Sequence, residues 1–304
     1  MVIEIVGVSK SFGRVKALSN VSFTVRNGEV VGYVGLNGAG KTTTIRIAVG
    51  VLPPDSGNVF IDGYSVVKEK KNASRLVGWV PELPIFESDF RALDYFTYLA
   101  GYYGYSASDA RRIGKELLEK LGLGDALKKK LSEYSQGMRK RFALAVSLIG
   151  DPPNFVFDEV LNGLDPQGIA FFRNLAIEFR KQNKAVLFSS HILSEVEGIA
   201  DRVVFIHKGR IVGDYSMEYI RQQAQPAIEL ALTTVDGKVL KLLEKHGEPV
   251  VVSEKRVLLR KPISDSSQIV VELVTAGVGV LEVKKHEKHL EDFFFELIRK
   301  AEGG

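Results

Sequence analysis

The chain has 304 residues, 45% of them hydrophobic, with a mean hydropathy of +0.03, enough apolar material for one large core or two. Lys and Arg number 41 against 37 Asp and Glu, a net charge of +4, and the basic residues are scattered apart from the run 128–130, so no field that gathers nucleic acid is implied. Cysteine is absent, which excludes disulfides and thiolate metal sites.

The opening "MVIEIVGVSK" carries an acid early and reads as a strand rather than a secretion signal, so the chain is expected to stay in the cytoplasm. No stretch approaches the roughly 18 uninterrupted apolar residues that cross a bilayer, so a membrane role is expected to come through a partner. Short β-branched runs at 2–8, 21–25, 30–34 and 59–61 are bounded by "RNG", "PPDSG" and "DG" and predict strands with tight turns. A helix is predicted over 41–51, stopped by Gly50 and the prolines beyond it. From about 86 to 150 the texture changes: "RALDYFTYLAGYYG", "SDARRIGKELLEKLGL" and "GMRKRFALAVSLIG" repeat apolar residues at three and four, the period of amphipathic helices. Strand texture returns at 155–157, 185–189 and 203–206 with helices between, the alternation of a parallel sheet. Beyond "SMEYIRQQAQP" the order reads strand, helix, strand, strand, helix, strand, then a last helix from about His289; this is a small ferredoxin-like module, with the boundary near Gln225.

Between the third predicted strand and its helix lies "GLNGAGKTT", which fits G-x-x-x-x-G-K-[ST] as Gly35, Gly40, Lys41 and Thr42. Glycines let successive N–H groups point inward, and the helix presents its positive end to the same spot. A nucleotide's phosphates are expected along Gly35, Asn37, Gly38, Ala39, Gly40, Lys41, Thr42 and Thr43, with Lys41 neutralising the β- and γ-phosphates and Thr42 ligating Mg²⁺. "NFVFDEV" places Asp158 and Glu159 at the end of a buried strand, the edge where parallel sheets bind ligands. Asp158 is expected to hold Mg²⁺ and Glu159 to deprotonate the attacking water.

In these residues the chain resembles the ATP-binding subunits of ABC transporters, and the likeness covers nearly the whole chain. "YSQGMRKRFALAVSLIG" is similar to the family's signature sequence and its helix, "LNGLDP" to its D-loop, and "VLFSSHIL" to its switch-histidine segment. The resemblance implies nucleotide contacts from Ser135, Gln136 and Gly137, an acidic D-loop position at Asp165, His191 reaching the γ-phosphate, and Phe12 stacking on adenine. It also implies that the signature of one copy faces the phosphate loop of another, so that ATP joins two chains and hydrolysis parts them, while integral membrane permease subunits receive the motion. The chain departs from the family in having Glu82 where a metal-binding glutamine is usual, Gln136 where the signature has a glycine, and Val160 and Leu161 after Glu159. The Glu82 and Gln136 variants, "YSQGM" and the ending "HLEDFFFELIRK" are similar to the exporter branch that resembles daunorubicin-resistance ATPases.

The expected fold is therefore an α/β P-loop NTPase with a mixed sheet over 1–225, an α-helical subdomain inserted at about 86–150, and a ferredoxin-like α+β accessory or regulatory domain over 226–304. The expected cofactors are ATP and Mg²⁺. The expected partners are a second ABC ATPase, as homodimer or pair, and membrane permeases on whose cytoplasmic face the chain sits; no specific nucleic acid is expected. A soluble ABC ATPase acting on DNA or the ribosome stays open as the alternative, although the long coiled coil or second cassette of those relatives is missing. A GTPase lacks support, since "NKAV" at Asn183 has no acid in the guanine-reading place.

Overall fold

A long two-stranded ribbon opens the structure, a computed structural model that describes residues 2–223, 227–286 and 290–302. Its strands, β1 (Val2–Phe12) and β2 (Val15–Arg26), pair antiparallel. Both run further than 2–8 and 21–25, because register shifts after Ile5, Val8 and Lys10 interrupt the alternation that marks a strand. β3 (Val30–Val34) is buried along its whole length and leads to α1 (Lys41–Ala48). That helix ends before residue 51: Gly50 takes φ +72°, and the amides of Val51 and Leu52 turn back to the Arg46 carbonyl at 2.9 and 3.0 Å. β4 (Ser56–Ile61), β5 (Tyr64–Ser65), α2 (Lys70–Arg75) and β6 (Val77–Val80) follow. The helical block consists of α3 (Ala92–Gly101), α4 (Ala107–Lys120) and α5 (Gln136–Ser147), joined in part by Phe142, whose ring meets Phe86 edge-on at 4.9 Å. Then come β7 (Asn154–Phe157), α6 (Pro166–Lys181), β8 (Ala185–Ser190), α7 (Leu193–Glu197), β9 (Arg202–His207), β10 (Arg210–Ser216) and α8 (Met217–Gln223).

By compactness the chain divides into two units, one running to Met217 and taking in the chain end from Lys300, the other Glu218–Arg299. In the first, among the described residues, a six-stranded sheet has the order β10-β9-β3-β8-β7-β6, parallel except for the β9–β10 pair. A second, antiparallel sheet runs β2-β1-β4-β5. β3, β7 and β8 are buried on both faces, as parallel strands under helices must be. Ile3, Ile5, Val25, Ile45, Ile61 and Leu187 belong to one apolar cluster that fixes α1 and both sheets together. The C-terminal ends of β3, β7 and β8 consequently open side by side.

The second unit contains β11 (Ala227–Leu232), α9 (Gly237–Leu243), β12 (Glu248–Ser253), β13 (Arg256–Arg260), α10 (Ser266–Thr275), β14 (Val280–His286) and the start of α11 (Leu290–Glu302). Its sheet is antiparallel with order β12-β13-β11-β14, the ferredoxin-like arrangement. Ile228, Leu230, Val257 and Leu259 pack against Val239, Leu243, Ile269 and Leu273 of the two helices. Asp236 and Asp265 cap those helices, each accepting the amide two residues on, at 2.9 and 2.8 Å. Buried His246 meets Ser264 Oγ at 2.8 Å through Nδ1 and Glu272 Oε2 at 3.1 Å through Nε2. Gln225, expected at the boundary, and His289, expected to begin the last helix, lie outside the described residues.

Candidate functional site

The loop after β3 is held by close backbone approach. Gly40 precedes α1 at φ +110°, and a Cβ there would lie 2.9 Å from the Ala17 carbonyl. Gly209, in the two-residue turn between β9 and β10, donates its amide to Ala39 O at 2.9 Å and accepts that of Ser19 at 2.8 Å. The phosphate loop is thereby fastened to β2 and to the β9–β10 turn. Lys41 points back along the loop: its Nζ donates to Gly35 O at 2.7 Å and Leu36 O at 3.3 Å, and lies 3.1 Å from Glu159 Oε1.

Asp158 and Glu159 continue from β7, which β6 and β8 flank. The Asp158 amide donates to Val80 O at 2.9 Å, extending the ladder by one residue. The next residue then breaks it, for Glu159 takes φ +47°, the left-handed region that a side chain normally avoids. Ser189 of β8 spans the break, donating to Asp158 Oδ1 at 2.8 Å and accepting the Glu159 amide at 2.8 Å. Thr42 Oγ1 donates to the same Asp158 oxygen at 3.2 Å. Burial pushes the Asp158 carboxyl above the ordinary carboxylate range, and the bonds from Ser189 and Thr42 oppose that rise.

The Glu159 carboxylate is held on three sides. Lys41 takes Oε1, while Asn162 Nδ2 donates to Oε2 at 3.1 Å and His191 Nδ1 meets Oε2 at 2.9 Å. His191 follows β8 and is partly open to solvent. Beyond it, Glu195 on α7 has its carboxyl raised by burial, with His191 opposing the rise and Glu159 adding to it. The cleft so formed has a volume of about 550 Å³ and is lined by Asn37, Gly38, Gly40, Lys41, Thr42, Thr43, Glu82, Glu159, Asn162 and His191, with 15–17 and 208–209 as a further wall.

The structure thus brings together the expected loop residues, Glu82, Asp158, Glu159 and His191. Gly35 takes part through its carbonyl, and the Ala39 carbonyl receives Gly209. Phe12 is not in the cleft wall: it ends β1, half exposed with Lys10 Nζ 5.8 Å from its ring, and the chain turns so that Val15, Lys16 and Ala17 face the cleft instead. Ser135, Gln136 and Gly137 are not in this cleft either. Ser135 caps α5, its hydroxyl accepting the Met138 amide at 3.2 Å, and it and Gln136 are exposed. Asp165 caps α6, accepting the Gly168 amide at 2.8 Å. Sequence reasoning missed Ser189, Asn162, Lys140, Lys16 and Lys208. Of these, Ser189 left a signal as a hydroxyl residue near the end of the apolar strand "AVLFSS", and Asn162 as part of "LNGLDP".

For a divalent cation, the fit is one of donor chemistry. The Thr42 hydroxyl and Asp158 carboxylate touch, and the Glu82 carboxylate faces the same cleft, a hard oxygen set suited to Mg²⁺.

Comparison with known proteins agrees with this geometry. The profile of the ABC transporter family matches residues 18–162. The chain is 31% identical over 301 residues to the bacitracin transport ATP-binding protein BcrA of Bacillus licheniformis, covering 98% of this chain and 97% of that protein. It is 27% identical over 298 residues to the linearmycin resistance ATP-binding protein LnrL of Bacillus subtilis (strain 168), covering 95% and 96%. A solved ATP-binding subunit of an ABC transporter matches with a TM-score of 0.68 at 29% identity, covering 73% of this chain and 93% of that one. A phosphate loop, a paired Asp–Glu strand end and a histidine around one cleft, with relatives matched over nearly their full length, place this chain in the ABC transporter family as an ATP-binding subunit and ATPase.

Proposed function

We propose that the chain powers export through separate permease subunits by an ATP-driven cycle of joining and parting with a second ATPase subunit. The observation that carries this reading is the division of the site. One cleft gathers Lys41, Glu159 and His191, while the start of α5, capped by Ser135, lies exposed elsewhere on the surface. A helix start with a hydroxyl and free amides suits phosphate, and a second copy is the partner that brings it over the nucleotide. The names of BcrA and LnrL, one a transport and one a resistance protein, support an exported small molecule. No helix among the described residues is long and apolar enough to cross a membrane, so attachment to the membrane is assigned to the permeases.

In the cleft, Lys41 and the first turn of α1 take the negative charge of the terminal phosphates. Thr42 and Asp158, with Glu82 beside them, would hold Mg²⁺, which supplies further charge neutralisation at the phosphate oxygens. Glu159 accepts the proton of the attacking water, a contribution of about 10²–10⁴ in rate. His191 and Asn162, both on Oε2, leave the carboxylate one orientation and turn its other oxygen toward Lys41. The unit Glu218–Arg299 is read as an accessory domain that steadies the joined state; unchanged joining and turnover after its removal would count against that.

The test is Glu159→Gln with saturating Mg-ATP, followed by light scattering. Turnover is expected to fall by about 10²–10⁴ and the particle mass to double; a variant that stays monomeric overturns the proposed cycle.

A further inference from the structure

Lys140 lies on α5, five residues past the Ser135 cap, and is 1% exposed. A lysine ammonium taken out of water is costly unless every proton finds an acceptor and a counter-charge lies close. Here Nζ donates to the main-chain carbonyl of Glu159 at 2.7 Å and to that of Asn162. Burial pushes its pKa down, while Glu82, Glu159 and Asp158 favour the charged form.

The two acceptors are the ends of one turn. Asn162 N returns to Glu159 O at 3.2 Å, and Asn162 Nδ2 holds Glu159 Oε2 at 3.1 Å. Glu159 itself sits at φ +47°, a conformation that the surroundings must impose. Ser189 fixes the amide of this residue, and Lys140 fixes its carbonyl. Core packing alone could have been served by an apolar side chain of similar length. What an apolar residue cannot do is clamp two carbonyls of the turn that aims the carboxylate.

We propose that Lys140 is a positioning residue for ATP hydrolysis: its ammonium clamps the Glu159–Asn162 turn that aims the Glu159 carboxylate. The inference rests on Glu159 being the base. It also ties the helix that begins at Ser135 directly to the turn that carries the base, so α5 and the carboxylate move as one piece.

The experiment measures phosphate release by the full-length chain with Mg-ATP in Lys140→Met and Lys140→Gln, beside Glu159→Gln. Misplacing a catalytic group by about 1 Å costs on the order of 10²-fold, so Lys140→Met is expected to lose about that much kcat while KM for ATP moves less than about threefold. Lys140→Gln, which keeps an uncharged N–H donor group, is expected to lose less. Should Lys140→Met fail to give a cooperative melting transition, the same kcat and KM comparison is read on Lys140→Gln. The proposal is overturned if kcat stays within about threefold of the parent or if kcat falls only in step with ATP affinity. Loss of turnover in Glu159→Gln with an active Lys140→Met overturns this inference alone; full turnover in Glu159→Gln overturns it together with the role of the base.

Discussion

Two histidine–carboxylate pairs in this chain have nearly the same geometry and opposite exposure. In the cleft, His191 meets Glu159 at 2.9 Å, with the histidine side chain 38% exposed and the carboxylate 6%. In the second unit, His246 meets Glu272 at 3.1 Å, with the histidine 7% exposed and the carboxylate 48%. Burying an acid among Lys41, Asn162 and a histidine costs solvation and keeps that acid oriented. Burying a histidine between Ser264 and a solvated glutamate satisfies both ring nitrogens and fills a core. Distance alone therefore does not mark a reactive pair; what marks it is which partner is denied water and whether the other faces a cleft.

Substitutions can break that contrast. Within the two pairs the larger effect on turnover is expected from His191→Ala, which frees Glu159 Oε2 on its open side: turnover should drop by roughly 10², with the melting temperature nearly unchanged, as steady-state phosphate release and calorimetry would show. His246→Ala should do the reverse, leaving turnover intact while lowering stability by about 2–3 kcal/mol through a cavity and two orphaned partners. Its carboxylate partner is solvated, so Glu272→Gln should cost less than about 1 kcal/mol in the same denaturant titration.

Asp158 sharpens the contrast as a buried acid with no histidine on it. Its folded pKa is raised, so the folded state holds the proton more firmly than the unfolded one does. The resulting stability is present below the ordinary carboxylate value of about 3.9 and is lost as pH rises through the raised value. Asp158→Asn should therefore raise the melting temperature at pH 7 in the absence of nucleotide by the equivalent of about 1 kcal/mol. The gain should vanish near pH 3, while turnover is lost at every pH.

The parts of the site that were legible in the sequence are those built from contiguous residues. Gly35 to Thr43 and Asp158 with Glu159 follow apolar strands, so their place at a sheet edge could be inferred from strand burial alone. The helical block was legible for a similar reason, its apolar period of three and four extending over whole helices. Lys140 was not, because a lysine in an amphipathic helix reads as a solvated face; only the fold brings the turn at 159–162 over it. Lys16 lies at the start of β2 and Lys208 in the β9–β10 turn; far apart in sequence, they share a cleft wall because that turn bonds to β2, Ser19 N donating to Gly209 O at 2.8 Å. Phe12, which the resemblance puts against adenine, ends β1 half exposed, and the two-residue turn after it brings Val15 to the cleft wall.

Lys41 meets an arriving nucleotide already engaged. Its ammonium already serves Gly35 O, Leu36 O and Glu159. A phosphate arriving at this lysine gains its attraction only by exchange, giving up contacts of comparable kind, so the net affinity is a small difference between large terms. A grip of that sort is readily reversed, and ready reversal is what a motor that must let go after each turnover requires.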